Sequence, residues 1–272
     1  MIALVTETLC CMSPSDCDAY GVHLIPLGCR LGEQLLPDRI LTCEESSPDG
    51  MGFSVPPSEE LYRQRFEALL QTHDGVFCIT ASRKFSESNR HATLAAAGFD
   101  GRVVVIDSGT VAGGLFLLVL RARHMITLGY PMSRMKAELE SYKNNLRVSF
   151  TTQSLQVLQN AKRLAYKPLD PSDPLPLHPV FRIENGEIGV FELSTGSRRT
   201  VEAMLSVFTE SRATAKTAPS RVVVHYANRT PSVEYLLSRL SGLYPSATLY
   251  ERPITLSIQL NLGYDIVGVV GD

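Results

Sequence analysis

VVVIDSGTVAGGLFLLVLRA, residues Val103 to Ala122, decides how this chain folds. Val103–Ile106 is a run of β-branched apolar residues, the composition of a strand buried on both faces of a parallel sheet. Asp107-Ser108-Gly109-Thr110 breaks the run with turn and helix-capping chemistry. From Val111 to Leu120 the chain is apolar on nearly every side, so a helix here has no face to show to water and must be buried. The run ends at Arg121 and Arg123, well short of the ~20 residues that span a bilayer. The stretch therefore predicts a central strand feeding a core helix. Gly113-Gly114 is expected to admit a neighbouring backbone, against a helix cost of about 1 kcal/mol per glycine.

Outward from this stretch, strands and helices alternate. Ile2–Val5, Val22–Leu27 and Gly75–Thr80 read as strands. Ser58–Thr72, Glu87–Ala97 and Ser133–Leu146 read as helices, the first with Pro56-Pro57-Ser58 and two glutamates at its start. Tyr62, Phe66, Leu69 and Leu70 form its core stripe. Gly28 to Pro57, rich in Pro, Gly and Ser, reads as a long irregular loop. The alternation predicts a parallel sheet flanked by helices. Farther on, Val148–Thr152 reads as a strand, Ser154–Leu164 as a helix and Tyr166–Pro179 as a proline-rich connection. Val180–Ile183 and Ile188–Leu193 flank Glu184-Asn185-Gly186, a hairpin signal. Arg199–Ser211 and Ser232–Leu243 read as helices; Arg221–His225, Ala247–Glu251 and Ile266–Val270 read as strands. The expected architecture is two α/β domains, residues 1–147 with a parallel sheet and 148–272 with a mixed sheet.

Composition places the chain among ordinary globular proteins: 272 residues, 20% charged, 44% hydrophobic, net charge −2. Lys and Arg are scattered, which argues against nucleic acid. MIALVTETLCC has no basic start and reads as a first strand rather than a signal peptide, so a cytoplasmic protein without membrane insertion is expected. Cys10, Cys11, Cys17, Cys29, Cys43 and Cys78 include no CxxC pair. Three of them are close enough in sequence to hold a metal, but free thiols are the favoured reading.

No GxSxG, HExxH, GxxxxGK or GxGxxG motif is present, and no cofactor or metal is expected. The informative residues are hydroxyls at strand ends. Thr6-Glu7-Thr8 ends the first strand, at the edge where open α/β sheets take ligands. Ser54 precedes one helix, and Ser82, Ser86 and Ser88 follow the Gly75–Thr80 strand into another. Serine hydroxyls with free amides at a helix start form a neutral cradle for a carboxylate or phosphate. Ser86 reads equally well as a simple N-cap. His225, closing an apolar strand, reads as a structural histidine.

Taken in order, IALVTET, YGVHLIPL, FSVPPSEEL, TASRKFSESNRHATLAA, VVVIDSGTVAGGLFLLVLRA and FRIENGEIGVFEL resemble the segments of the DegV family of two-domain bacterial fatty-acid-binding proteins. The resemblance implies non-catalytic binding of a fatty acid in a tunnel between the domains, its carboxylate on Ser54 and Ser86. It also raises a separate fatty-acid kinase as partner. Where the family has Thr this chain has Phe53, and where it has a closing His this chain has Ile258. Glu87 replaces a glycine, Ser88 a threonine, and Thr195 and Ser197 stand in arginine positions, while Arg163 keeps its arginine. Thr6, Phe53, Ser54, Ser82, Ser86, Ser88 and Ile258 are the candidate ligand-binding residues. A diverged relative with a different ligand or none, acting through a partner protein, and an enzyme using the serine loops are the alternatives. A base near Ser86 would favour the last.

Overall fold

The computed structural model describes residues 1–40, 52–153, 177–184, 187–210 and 218–272. In chain order its elements are β1 (Ile2–Glu7), α1 (Pro14–Tyr20), β2 (Val22–Ile25), β3 (Gly28–Leu31), β4 (Gln34–Pro37), β5 (Gly52–Val55) and α2 (Glu59–Leu70). Then follow β6 (Gly75–Thr80), α3 (Ser88–Ala96), β7 (Val103–Asp107), α4 (Gly113–Thr127), α5 (Met132–Lys143) and β8 (Arg147–Thr151). The remainder is β9 (Leu177–Glu184), β10 (Glu187–Thr195), α6 (Ser197–Glu210), β11 (Arg221–Tyr226), α7 (Pro231–Leu243), β12 (Thr248–Pro253), α8 (Leu256–Leu262) and β13 (Val267–Gly271).

Strands β2-β1-β6-β7 form a parallel sheet. Successive side chains of a strand face opposite ways, and here both ways are buried. Ala3, Val5, Val76 and Cys78 pack with Tyr62, Phe66, Ala92 and Ala95 of α2 and α3. Leu4, Phe77, Ile79 and Ile106 pack on the other face, with Leu115 to Leu120 of α4. That is why these strands read as continuous apolar runs.

A second, mixed sheet has the order β10-β9-β8-β13-β11-β12, antiparallel except between β11 and β12. On one face Val180, Val222, Val224, Val267 and Val269 meet Met204 and Phe208 of α6 and Leu236 of α7. On the other, Phe150, Phe181, Val223 and Val270 join the cluster around α4. Helix α4 thus lies between the two sheets, touching β1 and β6 on one side and β11 and β13 on the other. This accounts for its sequence: every residue from Gly113 to Leu120 is buried.

The glycine pair works differently from expectation. A Cβ on Gly113 would lie 2.7 Å from Nε2 of His225 and 3.0 Å from Cγ2 of Val270, and one on Gly114 would collide with Thr110. The glycines therefore make room for side chains rather than for a neighbouring backbone. The left-handed backbone falls one residue earlier, on Ala112 (φ 52°, ψ −122°), a conformation that penalises any Cβ. Ala112→Gly is expected to raise the unfolding free energy by about 1 kcal/mol, read from the urea midpoint.

The stretch expected to be irregular carries a small antiparallel sheet, β4-β3-β5. Gly32-Glu33 closes the β3–β4 hairpin, with Leu31 opposite Gln34 and Gly32 at φ 57°. Every β4 residue is exposed, so no alternation betrays the strand. Helix α1 was also not expected, although Ser13 and Asp16 form a capping box before Cys17. Leu177–Pro179 belong to β9 rather than to a loop. The helix expected over 154–164, with Arg163, Cys43 and the Asn185-Gly186 turn, lies outside the described residues. Cys10, Cys11, Cys17, Cys29 and Cys78 are free thiols. Among the described residues no helix is long and apolar enough to cross a membrane, and no group of three His, Cys, Asp or Glu is placed to hold a metal ion.

Candidate functional site

An apolar cavity of about 80 Å³ lies where β5, α8 and the loops before α3 and α4 meet the inner face of the mixed sheet. Leu9, Leu27, Val111, Phe150, Ile188 and Val270 line it. Ser54 and Ser86 open onto it from β5 and from the β6–α3 loop, as does Ile258 from α8. The sequence thus names three wall residues from three distant segments.

The other candidates fall elsewhere. Phe53 alternates to the opposite side of β5 and is 59% exposed. The Thr6 hydroxyl donates to the Ile79 carbonyl across the sheet (2.8 Å). Ser82 is buried, and its Oγ accepts from the Lys84 amide (3.2 Å). It borders a separate polar cleft of about 630 Å³ with Arg83, Lys84, Lys143 and Arg147. Ser88 sits behind Ser86, their hydroxyl oxygens 2.8 Å apart, and its amide donates to the Ser86 oxygen (3.2 Å). Ser86 therefore serves the start of α3 and the cavity wall at once.

Glu87 faces solvent, paired with Arg90 at 2.7 Å, and leaves the cavity free of its charge. Glu7, at the carboxyl end of β1, is fully buried. Tyr62 Oη donates to its Oε1 (2.5 Å) and the Ala81 amide to its Oε2 (3.1 Å). Burial holds its carboxyl above the usual carboxylate range, against these hydrogen bonds and one from Ser88.

Several wall residues were not named from sequence. Helix α8, the segment standing where the family's closing histidine falls, presents Ile258, Asn261 and Leu262 to the cavity, an i, i+3, i+4 face. Asn261 Nδ2 donates to Ser54 Oγ (2.8 Å) and so orients it. Asp38 anchors the start of α8 by accepting from the Ser257 amide (2.8 Å) and the Thr8 hydroxyl (2.6 Å). His225 also borders the cavity. One of its ring nitrogens, Nδ1, lies 2.8 Å from the Arg252 carbonyl, while Nε2 has no partner. A carbonyl only accepts, so Nδ1 carries the proton and Nε2 offers a lone pair. Burial lowers the His225 pKa to about 4. The spacing of the apolar residues did not signal α8: Leu256, Ile258, Leu260 and Leu262 alternate at the period of a strand, and only the tertiary structure shows the helix and the residues it brings together.

A family model described as DegV family, uncharacterised protein, matches residues 1–271. A DegV domain-containing protein of Deinococcus radiodurans is 30% identical over 164 residues, a match spanning 58% of this chain and 58% of that one. The crystal structure of a stearic acid-binding protein from Eubacterium ventriosum superposes with a TM-score of 0.89 at 20% identity, covering 100% of this chain and 98% of the other. The B3 protein of the Streptococcus pneumoniae fatty acid kinase, loaded with linoleic acid, gives 0.82 at 18% identity, with 100% and 99% covered.

Proposed function

Because this chain belongs to the DegV family, we propose that it binds a fatty acid without transforming it. The observation that carries this reading is the apolar cavity whose wall holds the Ser86 and Ser54 hydroxyls. A carboxylate meets those hydroxyls, and the tail runs between the inner face of the mixed sheet and α8. At about 10–15 Å³ per water-sized group, the free space takes only a handful of methylenes. A long chain therefore enters as the apolar walls part, and each methylene buried contributes about 0.8 kcal/mol. We place the domain boundary at residues 147 and 148, and the protein in the cytoplasm.

Catalysis finds no support in the site. Among the described residues the Ser86 hydroxyl meets only Ser88, and an activated nucleophile needs a base within hydrogen-bond reach. Presentation of the acid to a separate kinase is also weakly supported. Ile258 is apolar, and Thr195 and Ser197 carry no charge where the family resemblance puts arginines. A kinase would find few groups to steady the developing charge.

Denaturing the purified protein and analysing a solvent extract by mass spectrometry should release one long-chain acid per chain. Delipidated protein should rebind it in a titration; neither release nor rebinding would refute the reading. Ser86→Ala is expected to weaken acid binding about tenfold or more, the loss of a hydrogen bond to a charged group. Glu87→Gln should leave affinity unchanged, since its carboxylate points to solvent.

A further inference from the structure

One polar atom in the wall of the apolar cavity has nothing to bond to. Ser54, Ser86, Ser257, Asn261 and His225 are the described side chains there that carry a polar atom. Four of them have partners within the protein: Ser54 with Asn261, Ser86 with Ser88, and Ser257 with Cys29. Nε2 of His225 is buried and has none.

The strand fixes where this atom points. His225 follows Val223 by two residues on β11, so both face the cluster around α4. Nδ1 lies 2.8 Å from the Arg252 carbonyl on neighbouring β12. That contact pins one edge of the ring and leaves the lone pair on Nε2. The other edge turns toward the start of α4 and β13. A Cβ on Gly113 would meet Nε2 at 2.7 Å, and both Cδ2 of the ring and Cγ2 of Val270 at 3.0 Å. Ala112, just before Gly113, and Val270 are cavity wall. Gly268, paired with His225 across β13, lines the cavity too and has no side chain to cover the ring. Burial keeps the ring neutral, with its pKa lowered to about 4, so the acceptor persists near neutrality.

A buried acceptor without a partner is costly, and a donor that reaches it recovers the cost. The protein supplies no such donor among the described residues. A saturated tail lying along this wall supplies only C–H groups. A hydroxyl on the tail supplies a proton, and it also avoids the penalty that an unpaired hydroxyl meets in an apolar tunnel.

We propose that the cavity selects a hydroxylated fatty acid, whose carboxylate meets Ser86 and Ser54 and whose tail hydroxyl donates to Nε2 of His225. This rests on the reading that the cavity takes a fatty acid. Both anchors belong to fixed elements, the loop before α3 and strand β11, so the span between them sets which carbon of the tail carries the hydroxyl. A hydroxyl elsewhere meets Leu9, Leu27 or Ile188 and is penalised. A keto group at the matching carbon is polar but only accepts, so it faces a lone pair and is rejected. His225 thus reads a donor on the tail rather than polarity alone.

The test titrates delipidated wild-type protein and His225→Leu with stearate, with monohydroxystearates bearing the hydroxyl at successive carbons, and with the matching oxostearates. The wild-type protein should favour one hydroxystearate, or a few adjacent isomers, over stearate. The ratio of those two affinities should fall about tenfold or more in His225→Leu, where the hydroxyl enters without a partner. Each ratio is taken within one protein, so a general weakening of the variant cancels. The oxostearate of the favoured carbon should bind the wild-type protein more weakly than stearate. In nitrogen-15 spectra of the wild-type protein, the favoured hydroxystearate should shift the unprotonated Nε2 signal of His225, and stearate should not. That measurement decides alone should His225→Leu fail to fold. A wild-type protein that favours no hydroxystearate, a ratio unchanged in the variant, or an Nε2 signal that stays in place overturns the proposal and leaves fatty-acid binding standing. A wild-type protein that binds none of these acids overturns the fatty-acid reading, and this proposal with it.

Discussion

Leu117→Ala should lower the free energy of unfolding by about 3–5 kcal/mol, close to the upper end for truncation of a buried leucine. Leu117 is fully buried in the first half of α4, and α4 lies between two sheets. A helix on a protein surface can settle toward its core when a side chain is shortened. This one is held on one side by β1 and β6 and on the other by β11 and β13, so relaxation toward one sheet opens a gap at the other. The truncation thus leaves most of its cavity unfilled, and the cavity cost adds to the lost transfer energy. Urea denaturation measures the loss as a fall in midpoint at constant slope. A loss below about 1 kcal/mol, the scale of a surface substitution, would mean that α4 is not clamped.

His225 is expected to make the fold sensitive to acid by about 3 kcal/mol. Its pKa falls from 6.5 to about 4, first through burial and further through the charge of Arg252, against a backbone hydrogen bond that raises it. The unfolded chain therefore binds a proton between these two values while the folded chain does not. Stability then rises with pH across that window. The contribution is fully present above pH 6.5, is lost progressively as pH falls toward 4, and changes no further below. Structure explains why the imidazole resists protonation. Nδ1 already donates to Arg252, and Nε2 is pressed against Gly113, where a second N–H would find no acceptor. Glu7 and Asp38, whose pKa values are raised by burial, act in the opposite sense, so the comparison must isolate the histidine. Unfolding measured across pH 4–7 for the wild-type protein and His225→Gln should show a shallower dependence in the variant. Equal slopes would mean that His225 titrates normally.

His225 also marks where reading the chain stopped. An apolar strand ending in a histidine looks the same whether the ring is satisfied or not. Only the pairing of β11 with β12, which brings the Arg252 carbonyl alongside, separates the two nitrogens. Ser86 gives the contrasting case. Its place after a strand and before a helix is enough to suggest a cap or an anion contact; in the structure its oxygen accepts from the Ser88 amide at the start of α3, and the residue lines the cavity. The family resemblance puts both Phe53 and Ser54 at the expected site. Strand alternation sends one to solvent and the other to the cavity, a distinction that required recognising β5. The β3–β4–β5 sheet escaped because its exposed strand carries no apolar period.

The sequence by itself determined the core of this protein. Continuous β-branched runs demand burial on both faces, and an all-apolar helix demands neighbours all round. Those two demands are local, written in the residues of Val103–Leu120, and they lead to helices on both faces of a parallel sheet. Family resemblance added the kind of ligand to expect. What only the tertiary structure decided is which polar atoms meet. Tyr62 of α2 reaches Glu7 at the end of β1, and Asn261 reaches Ser54 from the far end of the chain. Hydrogen bonds act over about 3 Å, a distance that no spacing along the chain encodes until the sheets have closed on α4.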